Sequence, residues 1–137
     1  MPKNQASVWV VDDDPDDLYL VQLAFQRVLP ALSIRLLSDG ESLLSGLKQA
    51  ATLPSLVLLD LNMTPSNGFE ILQHLRSLAH GQAIPVVVFT TSDAADDRNR
   101  ALAMGANGFQ TKPDSIGDIG QLLLKLNVEW QLNASVE

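Results

Sequence analysis

The stretch VWVVDDDPDD, Val8 to Asp17, runs four apolar residues into six positions of which five are aspartate. Carboxylates at that density repel one another, and each raises its neighbour's pKa unless a cation sits among them. Other reactive side chains follow other apolar runs. LVLLDLN puts Asp60 and Asn62 after Leu56–Leu59, VVVFTTS puts Thr90, Thr91 and Ser92 after Val86–Phe89, and FQTKP puts Lys112 three residues after Phe109. Brought together, the carboxylates would hold a hard divalent cation through oxygen. Mg2+ is the expected occupant, because few protein ligands leave its water positions open. Lys112 would add a point charge and Thr90 a hydroxyl donor for a tetrahedral anion. Phosphoryl transfer needs this equipment, since positioning and charge neutralisation supply most of its catalysis. An aspartate acting as nucleophile would become an aspartyl phosphate.

Such a site needs elements that deliver all these residues to one place. Val8–Val11 reads as a buried strand. Asp14 is an N-cap before Pro15, and Leu18, Val21, Phe25 and Val28 recur at helical spacing until Pro30. Asp16 and Asp17 suit the first turn of that helix, where they complement its dipole. Ser33–Leu37 reads as a second strand, Asp39-Gly40 as a turn, and Leu43, Leu44 and Leu47 as one face of a second helix. Leu56–Leu59 and Val86–Phe89 are apolar on both faces, as central parallel strands must be. Between them Gly68 opens a helix carrying Ile71, Leu72, Leu75 and Leu78. An alanine-rich helix closed by Gly105, a strand over Asn107–Thr111 and a last helix through Ile116, Ile119, Leu123 and Leu126 complete the chain. The expected fold is α/β, a (βα)5 doubly wound parallel five-stranded sheet with right-handed crossovers and helices on both faces. All strand ends then meet at one edge, where such sheets bind ligands.

The 137 residues suit one domain over 1–137, with its core at about 8–130 and frayed ends at 1–6 and 133–137. A net charge of −7 argues against nucleic-acid binding. No run approaches a membrane span, MPKNQAS contains no apolar leader segment, and there is no cysteine, so a cytoplasmic location is expected. His74 and His80 are six apart, which makes no metal pair on a helix, and both read as surface residues. Trp130 reads as a packing residue.

The motifs VVDDD (Val10–Asp14), LVLLDLNM (Leu56–Met63), Gly68, PVVVFTTS (Pro85–Ser92), Gly105-Ala106 and FQTKP (Phe109–Pro113) occur in one order over about Val8–Leu126. In this the chain resembles the receiver domains of bacterial two-component response regulators. With no effector domain after Leu126, it resembles the stand-alone kind. The PDD after the acid pair, the TTSD segment and Trp130 are similar to regulators paired with bacterial phytochrome kinases. The resemblance implies a flavodoxin-like receiver fold with strand order 2-1-3-4-5, and a phosphoryl group taken from a sensor histidine kinase or phosphotransfer protein. It implies Asp60 as phosphoacceptor, Asp13 as direct Mg2+ ligand, Asp12 as holder of metal-bound water, and Asn62 as donor of a backbone carbonyl to the metal. It further implies Thr90 as switch hydroxyl, Thr91 as the small residue beside the phosphoryl group, Lys112 as its lysine, and Phe109 as the switch aromatic. A downstream protein target follows, with a homodimer or docking surface on the fourth helix, fifth strand and fifth helix. The chain departs from the common pattern at Thr64, where many receivers have proline; here Pro65 comes one later. Phe109 also lacks the hydroxyl of the commoner tyrosine.

Three rivals share parts of this pattern. Aspartate-nucleophile phosphatases use D-x-D-x-T, but Asp60-Leu61-Asn62-Met63-Thr64 lacks the second acid. A flavin binder of the same topology would cradle phosphate in its first loop, where DDDPDD repels it. A receiver-like docking module that no longer takes a phosphoryl group would not require the full set of acids, hydroxyl and lysine.

Overall fold

The computed structural model describes residues 6–63 and 67–132. Five strands alternate with five helices: β1 Ser7–Val11, α1 Pro15–Val28, β2 Ser33–Leu37, α2 Gly40–Gln49, β3 Leu56–Leu59, α3 Gly68–Ser77, β4 Val86–Thr90, α4 Ala95–Ala103, β5 Gly108–Thr111 and α5 Ile116–Glu129. A single 3-10 turn, Ala79–Gly81, follows α3. The strands are all parallel and lie in the order β2-β1-β3-β4-β5. This is the expected topology. The tail beyond Leu132 and the Thr64-Pro65 departure lie outside the described residues.

Burial follows position in the sheet. β3 and β4 are buried at every residue and β1 at all but its first, whereas the edge strands β2 and β5 are partly exposed. One face packs Trp9, Val11, Leu59 and Val88 against Leu43 and Leu47 of α2, Ile71, Leu72 and Leu75 of α3, and Ala101 of α4. The other packs Val8, Val10, Leu58 and Phe89 against Val21, Ala24 and Phe25 of α1 and Ile119, Leu123 and Leu126 of α5. The apolar stripe of α5 therefore faces the core. Trp130 packs beside it, while His74 and His80 are exposed.

Local chemistry sets the helix starts. The Asp14 side chain accepts from the Asp16 N–H at 2.9 Å, and Pro15 occupies the first turn. Asp39 caps α2 by accepting from Ser42 N–H at 2.7 Å. Asn67 and Glu70 form a reciprocal capping box on α3. α4 has no side-chain cap of this kind at Ala94. Asp97 instead accepts from the Ser92 hydroxyl at 2.6 Å, and that hydroxyl accepts from the Ala94 N–H at 3.2 Å.

The fifth strand begins at Gly108, one residue later than its apolar pattern suggests. Asn107 ends the approach by pairing with Val86 twice: its N–H donates to the Val86 carbonyl at 2.7 Å, and its Oδ1 accepts from the Val86 N–H at 2.8 Å. Arg76 locks the same corner. Its guanidinium donates to the carbonyls of Gly81, Ile84 and Gly105 and to Asn107 Oδ1, at 2.6–3.0 Å. Gly105 has φ +106, and a Cβ there would lie 3.0 Å from the Arg76 side chain. The planar fork thus ties the end of α3 to the loop before β5. Arg76→Ala should destabilise the fold by about 2–4 kcal/mol, because it strands several carbonyls. Arg76→Lys should recover less than half of that loss. Urea denaturation of the three proteins checks both expectations, and equal midpoints for wild type and Arg76→Ala would refute them.

Candidate functional site

Hydrogen bonding continues past the strand ends and sets the acidic edge. Asp12 N–H donates to Leu37 O at 3.0 Å, Asp60 N–H to Val11 O at 3.0 Å, and Lys112 N–H to Thr90 O at 2.7 Å. These bonds hold the first residue after β1, β3 and β5 in lateral register with a neighbouring strand. The buried ends therefore arrive together, with Asp12, Asp60 and Thr90 at 2%, 6% and 0% exposure. Asp13 and Asn62 are exposed at the rim.

Ligand oxygens of Asp12, Asp13 and Asp60 all lie within 4.8 Å of one another. Three carboxylates so placed, with no nitrogen or sulfur among them, fit a hard divalent cation. Asp12 and Asp60 would hold it from the buried side and Asp13 from the rim. Two backbone N–H groups support the cluster: Asp14 N–H donates to Asp12 Oδ1 at 3.0 Å, and Asn62 N–H makes a long contact to Asp60 Oδ1 at 3.4 Å.

The Lys112 ammonium bonds directly to Asp12 Oδ2, donates to Asp17 Oδ2 at 2.8 Å and stands 3.7 Å from Asp60 Oδ2. Burial raises the Asp12 carboxyl to about 6, although the Lys112 hydrogen bond and the Asp14 N–H pull the other way. Burial alone would lower the Lys112 ammonium. The hydrogen bonds to Asp12 and Asp17 outweigh it and raise the group above its ordinary value. Three carboxylates thus surround one lysine, with Asp13 beside two of them, and the cluster keeps a negative excess that a cation would neutralise.

The remaining expected residues fall around this centre. The Thr90 hydroxyl is buried at the end of β4, with long contacts from Asn62 Nδ2 at 3.4 Å and Ser92 N at 3.5 Å. Thr91 is exposed and lines a cavity of about 160 Å³ with Asp17, Lys112 and Phe89. Phe109 is buried, pairs with Val88 in the sheet and belongs to the core beside α3 and α4. In this conformation it is a packing residue.

Two contributions escaped the sequence reading. Asp17 was expected only to complement the α1 dipole. It does lie in the first turn, but its carboxylate also reaches Lys112. Its position, one helical turn after Asp13, was the available signal. Gly68 was read as a helix start. A Cβ at Gly68 would lie 2.3 Å from the Asp60 carbonyl and 2.7 Å from Leu61 Cα, so only glycine lets α3 begin against the backbone of the central acid. The exposed Asp93 and Asp96 lie apart from the cluster that meets Lys112.

Comparison with known proteins agrees with this geometry. The chain is 32% identical over 127 residues to the "Probable methanogenesis regulatory protein FilR2" of Methanothrix harundinacea, covering 90% of this chain and 82% of that protein. Among solved structures, the phosphorylated cyanobacterial phytochrome response regulator RcpA superposes with a TM-score of 0.84 at 27% identity, covering 96% of this chain and 98% of the other. The Mn2+-bound response regulator Rcp1 gives 0.79 at 26% identity, covering 96% and 99%. The family description "Response regulator receiver domain" matches residues 8–124, from the first buried residue of β1 well into α5. Sheet order, acidic edge and matched span together place this chain in the receiver-domain family of two-component response regulators.

Proposed function

We propose that this receiver takes a phosphoryl group from a sensor histidine kinase or phosphotransfer protein onto Asp60 in a Mg2+-dependent reaction, and signals by a change of surface. One observation carries the reading: the oxygens of Asp12, Asp13 and Asp60 converge within 4.8 Å beside a lysine whose Nζ is 3.7 Å from Asp60 Oδ2. An Asp60 carboxylate oxygen attacks phosphorus, the O–P bond forms as the P–N bond of phosphohistidine breaks, and the bonding pair leaves on the imidazole, which takes a proton from water. Asp12, Asp13, Asp60 and the Asn62 backbone carbonyl would hold Mg2+, which supplies charge neutralisation to the phosphoryl oxygens. Lys112 offers those oxygens a second positive charge, and the Thr90 hydroxyl one donor, with Thr91 at the rim. Thr90 and Phe109 form the switch pair, the hydroxyl following the new group and the aromatic repacking behind it.

The relatives support the partners. RcpA is a phytochrome response regulator, and for this chain a phytochrome-type kinase in the cytoplasm is the matching donor. Among the described residues no helix is long and apolar enough to cross a membrane. The activated surface is that of α4, β5 and α5, where it docks a downstream protein or a second copy. Leu102 on α4 is 40% exposed, and α4 buries only Ala101. The protein catalyses no turnover beyond its own phosphorylation and dephosphorylation.

The test is incubation with Mg2+ and acetyl phosphate, followed by intact-mass measurement. One phosphoryl group per chain, released by hydroxylamine and absent with a chelator, is expected. A chain that stays unmodified under these conditions, and with phosphorylated kinase, would overturn the reading.

A further inference from the structure

Lys112 has three carboxylate neighbours: Asp12 and Asp17 by hydrogen bonds and Asp60 at 3.7 Å. Asp12 and Asp60 belong to the oxygen group that fits a divalent cation, and Asp17 does not. A dication and an ammonium compete for the same lone pairs. Once a cation draws on Asp12 and Asp60, their hold on the lysine weakens. Asp17 is the neighbour that the cation leaves untouched.

The position of Asp17 suits that part. It lies in the first turn of α1, whose buried face at Val21, Ala24 and Phe25 fixes the helix on the sheet. Asp14 already caps the helix, so the Asp17 carboxylate is not needed there. Lysine carries its charge on a long flexible stem. Here the base of the stem is held by Lys112 N–H on Thr90 O and its tip by Asp17. An ammonium has three donors, so bonding to Asp17 leaves others for an arriving oxyanion.

We propose that Asp17 is a positioning residue for phosphoryl transfer: its carboxylate keeps the Lys112 ammonium beside Asp60 when the metal-binding oxygens are otherwise engaged. This rests on the phosphoacceptor reading of Asp60 given above. The charge is then in place before the phosphoryl oxygens arrive, and the reaction does not wait for a solvent-facing lysine to return.

The test uses the full chain with 15N label and Mg2+ alone. The Lys112 ammonium nitrogen should give an observable signal in wild type, lose it to solvent exchange in Asp17→Asn, and regain it in Asp17→Glu. The cavity of about 160 Å³ beside Asp17 leaves room for the extra methylene. In labelling by acetyl phosphate at saturating Mg2+, the maximal rate constant should fall about tenfold in Asp17→Asn, with the half-saturating donor concentration changed by less than about threefold. Asp17→Glu should restore most of the rate. In a Lys112→Met background, Asp17→Asn should have no further effect, because the two residues act as one unit. An unchanged Lys112 signal and rate in Asp17→Asn would overturn the proposal, and so would an undiminished effect without the lysine. Failure of the underlying reading looks different: wild type takes no phosphoryl group, or Asp60→Asn takes one, whatever the lysine signal shows.

Discussion

Asp60→Asn is expected to abolish phosphoryl uptake while leaving a folded protein. The amide has the shape of the carboxylate but lacks its nucleophilic charge, so labelling by acetyl phosphate or kinase should fall on the order of 10³-fold or more. The fold should not suffer. Asp60 is 6% exposed among Asp12, Asp13 and Lys112, in a cluster with more negative than positive charge. Removing one charge relieves repulsion, and the Asp60 N–H still donates to Val11 O. The metal-free variant should therefore melt no lower than metal-free wild type. Labelling followed by intact mass, with circular dichroism for the fold, separates lost chemistry from lost structure. Stoichiometric labelling of this variant would move the acceptor to another residue and remove the basis of the mechanism.

Asp13→Asn should uncouple the metal from the fold. A cation that binds the folded chain and not the extended one stabilises by RT ln(1 + [L]/Kd), about 1.4 kcal/mol at ten times Kd. For a chain of this size that is a melting shift of about 3–6 °C. Asp13 supplies the exposed member of the oxygen group, so the variant should lose most of this shift and most of its labelling. The proper control is Asp16→Asn. Asp16 is exposed in the first turn of α1, whereas Asp17 touches Lys112. The Mg2+ shift of wild type should also fade as the pH drops through about 6, where Asp12 takes a proton and no longer offers the cation a charged oxygen. The sign for the metal-free protein follows from the same group. The folded carboxyl binds its proton more tightly than the unfolded one, so Asp12 favours the folded state increasingly as pH falls from about 6 toward 4, and this contribution is lost as pH rises. Thermal scans with and without Mg2+ at several pH values measure all of this. Equal Mg2+ shifts in wild type and Asp13→Asn would show that the strand-end acids do not form a cation cage.

The alternation of apolar runs with helical spacing was enough to specify a parallel (βα)5 sheet, because only a strand covered on both faces can carry an unbroken apolar run such as Leu56–Leu59 or Val86–Phe89. Parallel strands also share one carboxyl edge. The meeting of Asp12, Asp13, Asp60, Thr90 and Lys112 therefore followed from topology, before any side chain was placed. The helix start at Asp14 was legible for a local reason, since a cap bonds within three residues of itself, whereas Asp39, read as part of a turn, proves to cap α2 in the same way. What remained hidden was long-range. Lys112 and Asp17 are 95 residues apart, and their bond depends on how α1 is rotated against the sheet. Arg76 reaches Gly105 and Asn107 across about 30 residues, through a fork whose direction no periodicity encodes. Gly68 looked like a helix start until the fold brought the Asp60 backbone against it. Phe109 was expected as the switch aromatic, and the tertiary structure decides only its packing in this conformation. Strand order and edge chemistry arise from patterns repeated along the chain. The partners of a particular charge arise from the angle and register between packed elements, which exist only once the core has formed.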